Sequence, residues 1–237
     1  MKFFRIQTMK KDSKSKDLRG IQLIEYKKTL QLNTIQKEVL VGTLLGNTTI
    51  SKSKNIALNV KFEQKLANQE YVNHLYEIFE PYVGTPPRVR EITGGGAKDR
   101  QSIWFRTYRH IDFKFYYDLF YRKTNQKNSA DLRKKRVPKL IHKFLTPRAL
   151  AYWFMDNGSY YYNKSKTHQK KVYYFNTQSF SYQDIKILKK ALKFNFNFDT
   201  NIYKDRIYYL LYIQPQSTDE FRKLIKPFFI ETFDYKL

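Results

Sequence analysis

The sequence contains no cysteine, and this absence excludes a disulfide framework, a cysteine-based zinc site and a thiol nucleophile. Histidine is scarce as well. The four histidines His74, His110, His142 and His168 are scattered along the chain, which is not the spacing of a metal-binding cluster. No apolar run approaches the roughly 20 residues that cross a bilayer, so we expect no membrane-spanning segment and no membrane partner.

Negative charge is also in short supply. Asp and Glu number 21 against 45 Lys and Arg, which gives a net charge of +24. A net charge of about 2–8 is enough to keep a small domain soluble, so the excess predicts a polyanionic partner, and nucleic acid is the first candidate. An anionic membrane surface is the weaker alternative, because no isolated basic amphipathic helix stands out.

What the chain has in quantity is apolar and aromatic surface. Hydrophobic residues make up 41% and aromatic residues 17% of the sequence, which is enough for a folded core. Lys, Asn, Tyr, Phe and Ile are all abundant, and this bias is typical of translation from AT-rich codons, as in many organellar genomes. The composition therefore hints at an organellar origin.

The elements repeat once along the chain, which predicts an α/β (α+β) fold of two pseudo-symmetric α-β-β-α-β-β-α halves. Thr34 opens a helix that runs to Gly46, and Thr146-Pro147 opens its counterpart, which runs to Gly158. Equivalent points such as Asn47 and Asn157 are 110 residues apart. The later elements follow the same order in both halves: strands Ile56–Phe62 and Val172–Phe175, helices Gln69–Phe79 and Tyr182–Phe194, strands Ser102–Tyr108 and Ile207–Ile213, and helices Asp112–Tyr121 and Thr218–Phe229.

This repeat divides the chain into a basic N-terminal extension (1–33), a first half (34–121), a basic connector (122–145) and a second half (146–237). Residues 1–20 carry seven basic and two acidic residues; they have the composition of a disordered tail or of a segment held by a polyanion. The connector carries nine basic residues and one acidic residue between Arg122 and Lys143, so we expect it to run against phosphates.

The opening helices carry a resemblance. The stretches VGTLLGN (Val41–Asn47) and AYWFMDN (Ala151–Asn157) resemble the paired motifs of single-chain LAGLIDADG homing endonucleases. The second stretch, within LTPRALAYWFMDNG, is the more specific of the two, and NTQSF (Asn176–Phe180) and LIKPFF (Leu224–Phe229) support it. The resemblance covers roughly residues 34–237.

The resemblance implies that the two motif helices pack side by side through small residues: Gly42, Gly46 and Ala151. It also implies that each half presents an antiparallel sheet, and that the two sheets form a saddle for a major groove. In the family, one carboxylate at the bottom of each helix binds a divalent metal ion that activates water and stabilises the leaving oxygen.

This sequence departs from that pattern at the metal positions, which are Asn47 and Asn157. An asparagine keeps a carbonyl oxygen but loses the charge on which hard cations depend, so we expect no metal site and no active catalytic residue. Asp156 is adjacent but aligns with Gly46 rather than with the metal position. Basic residues that resemble the family's active-site cations are retained at Lys135 and Lys236.

We therefore expect a catalytically inactive relative that binds structured RNA, as a ribosome-associated component of an organellar particle or as an intron-splicing maturase. The alternative is a site-specific double-strand DNA endonuclease in an Asp-to-Asn inactivated form. No cofactor is expected, and Mg²⁺ would matter only for residual nuclease activity. We expect a monomer, possible contact with neighbouring ribonucleoprotein proteins, and a mitochondrial location in preference to a chloroplast. The expected nucleic-acid-binding side chains, besides the 1–20 tail, are Lys61, Arg88, Arg90, Arg106, Arg109, Lys134, Lys135, Arg136, Lys170, Lys171, Lys204 and Arg206.

Overall fold

The computed structural model describes residues 18–52, 58–92, 100–123, 133–164 and 169–237. Most of the predicted N-terminal tail and the central part of the predicted connector lie outside these residues. None of the described helices is both long and apolar enough to cross a membrane.

Helices and strands alternate in the order that the repeat predicts. The α-helices within the described residues are α1 (Gly20–Thr29), α2 (Thr34–Leu45), α3 (Gln69–Phe79), α4 (Phe113–Phe120), α5 (Pro147–Asn157), α6 (Tyr182–Phe196) and α7 (Thr218–Ile225). The strands are β1 (Thr49–Lys52), β2 (Leu58–Lys65), β3 (Arg88–Glu91), β4 (Gln101–Arg106), β5 (Tyr121–Lys123), β6 (Arg133–Lys135), β7 (Gly158–Lys164), β8 (Gln169–Phe175), β9 (Thr200–Asp205) and β10 (Tyr208–Ile213). Short 3₁₀ turns lie at Leu66–Asn68, Glu80–Tyr82, Ile141–Lys143, Pro215–Ser217, Lys226–Phe228 and Glu231–Lys236.

The two halves have the same topology. Each contains a four-stranded antiparallel sheet, in the order β1-β2-β4-β3 in the first half and β7-β8-β10-β9 in the second, and β5 and β6 form a separate two-stranded ladder. Each half begins with a motif helix, α2 or α5, that leads directly into the first strand of its sheet. The predicted fold class is confirmed.

Local capping signals fix the ends of the two motif helices. Asn33 caps α2 in a reciprocal capping box with Gln36, one residue before the predicted start at Thr34. Thr146 caps α5 by accepting a hydrogen bond from the Ala149 backbone N–H, and Pro147 occupies the first turn, where its missing N–H costs nothing.

Both motif helices lie in the middle of the protein. Along α5 every residue from Ala149 to Met155 is buried, and along α2 every residue from Val39 to Leu45 is buried. A helix that is apolar all round must be covered on all sides. Here the two motif helices cover each other, α3 packs against α2, and α7 and the second sheet pack against α5. The motif helices are therefore held in fixed positions in the core.

One helix within the predicted extension was not expected. Helix α1 has no buried residue, so its sequence lacks the apolar stripe from which a helix is predicted. Its attachment is polar: the Tyr26 hydroxyl donates to the Pro81 carbonyl at 3.1 Å, and the Lys27 carbonyl lies 2.7 Å from His110 Nε2. These contacts tie the extension to the first half.

Candidate nucleic-acid interface

The helix pair is close enough that its glycines cannot be replaced without movement. A Cβ built on Gly42 would lie 2.3 Å from the Ala149 carbonyl oxygen and 2.9 Å from Tyr152 Cβ, and one built on Gly46 would lie 2.2 Å from an Asp156 carboxylate oxygen. Gly42 and Gly46 thus face α5 as predicted. The residue opposite Gly42 is Ala149, whereas the predicted Ala151 lies elsewhere in the buried surface of α5.

Asn47 and Asn157 lie at the C-terminal ends of α2 and α5. Asn47 is exposed, and its backbone N–H donates to Asp156 Oδ2 at 3.0 Å. Asn157 is half-buried: its side-chain amide donates to the Asn176 carbonyl at 3.2 Å, and its carbonyl accepts from Asn176 Nδ2 at 3.0 Å. The Asn157 side chain therefore acts as a hydrogen-bond donor here, and an ionised carboxylate at this position could not donate.

Asp156 is the carboxylate at this end of the helix pair, and it points inward. Its Oδ2 accepts the Asn47 N–H, and its Oδ1 accepts from Gln64 Nε2 at 3.0 Å. Burial raises the pKa of the carboxyl to about 6, against the opposing effects of the Asn47 N–H, the Tyr71 hydroxyl and two lysines. Both carboxylate oxygens are thus engaged by the protein itself.

Lys135 and Lys236 hold equivalent positions beneath the two motif helices. The Lys135 ammonium donates to the Gly46 carbonyl at 2.7 Å and to the Thr48 carbonyl at 3.3 Å. The Lys236 ammonium donates to the carbonyls of Met155 at 2.8 Å and Gly158 at 2.9 Å. A cation at a helix C-terminus meets the negative end of the helix dipole and its unpaired carbonyls.

Burial lowers the pKa of both lysines to about 8, and the Asp156 charge acts in the opposite direction on each. The two ammonium groups point into the protein, which makes Lys135 a structural residue here rather than the phosphate contact that the sequence predicts. We call Asp156, Lys135 and Lys236 the basal cluster.

The donor set does not fit a divalent metal ion. Mg²⁺ and Ca²⁺ prefer charged oxygens, and the two positions that the family fills with carboxylates here hold neutral amides. The one nearby carboxylate, Asp156, is oriented by hydrogen-bond donors, and two lysine ammonium groups flank it. Within the described ranges, no group of three or more His, Asp and Glu side chains comes together.

The outer face of the first sheet gathers four of the predicted nucleic-acid-binding residues. The register pairs Lys61 with Arg106 and Arg88 with Trp104, and Arg90 pairs with Ser102 two residues further along β3. Because side chains alternate along a strand, Lys61, Arg88, Arg90 and Arg106 share one face, which we call the basic face.

Trp104 lies at the centre of the basic face and was not predicted. The Lys61 ammonium lies 5.4 Å and the Arg106 guanidinium 5.5 Å from the centroid of the Trp104 ring. The opposite side of the same strands is buried, with Phe62 and Phe105 in the core. The alternation of Trp104 with Ile103 and Phe105 was the signal that could have placed it outside.

Glu63 is the acid that lies among these cations on the outer side of the sheet, and it anchors the basic face. It pairs with Arg90 at 2.6 Å and with Lys61 at 2.5 Å, and it accepts from the Ser102 hydroxyl at 2.7 Å. Burial acts to raise the pKa of Glu63, but the hydrogen bonds from Lys61, Ser102 and Arg90 outweigh it and lower the pKa overall. Arg88 and Arg106 are exposed and are not the ion-pair partners of Glu63, which are Lys61 and Arg90.

The remaining predicted residues do not join this face. Arg109 follows β4 and Lys134 lies in β6, and both are exposed. Arg136 points at α6, where its Nε lies 3.3 Å from Asp184 Oδ2. The predicted surface role of Arg136 is therefore replaced in large part by an ion pair within the fold.

The predicted nucleic-acid-binding residues of the second half do not share one surface. Lys171 shares the inner side of its sheet with buried Tyr173, and its ammonium donates to the Tyr235 carbonyl at 3.1 Å. Its predicted nucleic-acid contact stays a prediction. Lys204 is exposed on the same inner side, because β9 pairs it with Tyr209. Arg206 is exposed at the β9–β10 turn with a left-handed φ of 54°, and Lys170 lies in β8 opposite Asn163.

A family model and several known proteins resemble this chain. The model of the LAGLIDADG DNA endonuclease family matches residues 37–221. A probable intron-encoded endonuclease of Wickerhamomyces canadensis is 33% identical over 94% of this chain and 94% of its own length. The cytochrome b mRNA maturase bI2 of Saccharomyces cerevisiae is 28% identical over 87% of this chain and 48% of its own length.

A solved structure has the same architecture. The homing endonuclease I-WcaI bound to its DNA recognition sequence aligns with a TM-score of 0.79 at 28% identity, and the alignment covers 92% of this chain and 93% of that protein. The glycine-lined helix pair, the two antiparallel sheets and the family match over most of the sequence agree with one another. The chain belongs to the LAGLIDADG DNA endonuclease family.

Proposed function

We propose that this protein binds structured RNA and does not cleave nucleic acid. The observation that carries the proposal is the base of the helix pair: both metal positions are asparagine, and the adjacent Asp156 is turned inward onto the Asn47 N–H and Gln64. A basic face of Lys61, Arg88, Arg90 and Arg106 remains. This combination suits a protein that holds phosphates without hydrolysing them.

The relatives support nucleic-acid binding in general and leave room for RNA in particular. Relatives are named as intron-encoded endonucleases and as cytochrome b mRNA maturases. We place this chain with the second kind, as an intron-splicing maturase or a ribosome-associated component of an organellar particle. The AT-rich codon bias of its composition fits an organelle, with a mitochondrion preferred to a chloroplast. Because both halves lie on one chain, we propose a monomer.

The cleavage half of the proposal is tested with supercoiled plasmid carrying a candidate intron-insertion site, in Mg²⁺ and in Mn²⁺. We expect no double-strand cleavage by the unmodified chain. Restoring both carboxylates with Asn47→Asp and Asn157→Asp should not give full activity either, because a carboxylate at 157 would face the Asn176 carbonyl where the amide now donates. Cleavage by the unmodified chain would overturn the proposal.

The binding half is tested by sedimentation of the native protein from organelle lysate, with and without nucleases. Migration with a large particle that collapses under RNase but not under DNase is the expected result. A protein that stays light, or that shifts only with DNase, would instead support the DNA endonuclease.

The electrostatic contribution is tested with purified protein and RNA. Replacing Arg88 and Arg106 by glutamine should weaken binding and flatten the dependence of log K on log salt. The reason is that a protein with fewer phosphate contacts releases fewer counterions when it binds. Lys134→Gln tests the connector in the same way. Lys135 is unsuitable for this test, since its ammonium is bound to the Gly46 carbonyl.

One observation favours the second candidate, a site-specific DNA endonuclease in an inactivated form. The solved structure that this chain resembles over 92% of its length is a homing endonuclease bound to its DNA recognition sequence. If that candidate is correct, the double Asp variant should cut a duplex site in Mg²⁺, and duplex DNA should compete with RNA for the protein.

A further inference from the structure

The outer faces of the two sheets are chemically different. In the second sheet, the register pairs Tyr174 of β8 with Tyr212 of β10 and with Ser159 of β7. Tyr161, two residues beyond Ser159, lies on the same face and is the diagonal neighbour of Tyr174. Tyr203 of β9 reaches Tyr212 from the edge strand. We call these four residues the tyrosine face. It occupies the position that the basic face occupies in the first sheet.

The four rings form one continuous aromatic surface. The Tyr174 and Tyr212 rings are stacked with centroids 5.0 Å apart, and Tyr203 meets Tyr212 edge-on at 4.9 Å. Tyr161 lies 6.3 Å from Tyr174 and 6.2 Å from Tyr212. Contacts at these distances hold the rings in fixed positions.

Core packing does not explain this surface. The residues that alternate with these tyrosines along the same strands, Tyr173, Phe175 and Leu211, fill the core beneath the sheet and are at most 1% exposed. By contrast, Tyr161 is 46% and Tyr203 50% exposed. An exposed aromatic cluster of this extent is expected where something packs against it.

We propose that the tyrosine face is a stacking platform for unpaired nucleobases of a single-stranded RNA segment. This inference rests on the proposed function and gives the second sheet its own role. Aromatic rings accept any base by stacking and so favour a strand whose bases are splayed out. Paired bases inside a duplex offer only their edges to a sheet, so a duplex would gain little from four phenol rings.

The charges around the tyrosine face agree with base stacking on the second sheet and phosphate contacts on the first. The four side chains of the tyrosine face are neutral, and Asp205, which β9 places on the same side as Tyr203, is acidic. Lys204 is adjacent to Tyr203 in sequence but lies on the inner side of the sheet with Tyr209, and Arg206 is at the turn that follows β9. Phosphate contacts are concentrated instead on the basic face of the first sheet. An RNA that contacts both sheets would therefore present its backbone to the first half and its unpaired bases to the second.

The test uses the full chain with a fluorescein-labelled 12-nucleotide oligouridine as the single-stranded probe and a 12-base-pair RNA duplex as the comparison. Tyr161→Ala with Tyr203→Ala removes the two most exposed rings of the face without opening the core. Tyr161→Phe with Tyr203→Phe keeps the rings. Tyr235→Ala, at a tyrosine that is 58% exposed on the C-terminal 3₁₀ turn, is the matched control.

The expected result is that the double Ala variant binds the oligouridine at least about fivefold more weakly, the lower end of what the loss of one stacked base costs. The Phe variant and the Tyr235 control should bind as the unmodified chain does. The salt slope should be the same in all of them, because no phosphate contact is lost. Duplex binding should not change.

Three outcomes would overturn the platform, and the first two leave the proposed function standing. If the unmodified chain binds the oligouridine and the double Ala variant binds it equally well, the platform is wrong and RNA binding stands. If duplex affinity falls as much as single-strand affinity, the face contacts a duplex. If the unmodified chain binds neither RNA, both proposals fail together.

Discussion

Replacing Lys236 by methionine should change how the stability of this protein depends on pH. Lys236 is 9% exposed, and burial lowers the pKa of its ammonium from the ordinary 10.5 to about 8. Since each pKa unit is worth about 1.4 kcal/mol, the charged form is disfavoured in the folded state by on the order of 3 kcal/mol. Lys135, with a pKa of about 8, behaves in the same way.

The sign follows from proton linkage. A folded-state pKa below the unfolded value means that the unfolded chain binds more protons between pH 8 and pH 10.5, so the free energy of unfolding rises with pH across that window. Each lysine contributes up to about 1.4 kcal/mol per pH unit. Above pH 10 the trend should reverse, because buried tyrosines such as Tyr116, whose pKa is raised to about 12, retain protons in the folded state.

The assay is urea denaturation between pH 7.5 and pH 9.5. The unmodified chain should gain stability across this range, and Lys236→Met should lose about half of that gain. At pH 7 the variant also leaves the carbonyls of Met155 and Gly158 without their donor, which costs about 1–3 kcal/mol for each group left unsatisfied. This cost is offset in part because the variant no longer buries a charge.

Lys134→Met is the matched control, because Lys134 is exposed in the folded protein as it is in the unfolded chain; its pH dependence should follow that of the unmodified chain. A stability that is flat between pH 7.5 and 9.5 in the unmodified chain would refute the reasoning. So would a rise that Lys236→Met leaves intact.

Two further changes probe the helix pair. Gly42→Ala should destabilise the protein by about 1–3 kcal/mol despite the better helix propensity of alanine, because the added methyl group meets the Ala149 backbone at 2.3 Å; a thermal midpoint at or above that of the unmodified chain would contradict it. Asp156→Asn should cost about 1–3 kcal/mol at pH 7, since the new amide nitrogen either faces the Asn47 N–H or forces the Gln64 amide to rotate out of its present position. That penalty should grow at pH 4.5, because the raised Asp156 pKa of about 6 means that the folded unmodified chain takes up a proton there and gains stability that the Asn variant lacks. Equal stability at pH 7 in urea denaturation would show that the carboxylate is not needed.

The sequence predicted the elements best where hydrophobic periodicity was strong. Helix α3 spans Gln69–Phe79 as predicted, because Tyr71, Val72, Leu75 and Phe79 give it an apolar stripe. Strand β3 at Arg88–Glu91 was missed, since all four of its residues are exposed and an edge strand paired on one side needs no apolar alternation. Helix α1 was missed for a related reason: it has no buried face.

The candidate site was predictable only in part. Paired motifs 110 residues apart predicted two metal positions, Asn47 and Asn157, and the two lysines near them, because residue type and spacing are properties of the chain. That spacing does not determine which way a side chain points. Asp156 is bonded inward to Asn47 and Gln64, and Lys135 is bonded to a helix carbonyl rather than to a ligand.

The sequence by itself determined the family, the fold class, the excess of positive charge and the asparagine at both predicted metal positions, because each of these depends on composition, spacing or residue identity. Only the tertiary structure decided which cations share a surface. Strand register places Lys61, Arg88, Arg90 and Arg106 on one face, turns Lys171 to the inner side of its sheet, and gives the second sheet four tyrosines in their place. The physical reason is that a side chain's neighbours across a sheet come from strands distant in sequence, so a pairing one residue out of register would exchange the two faces.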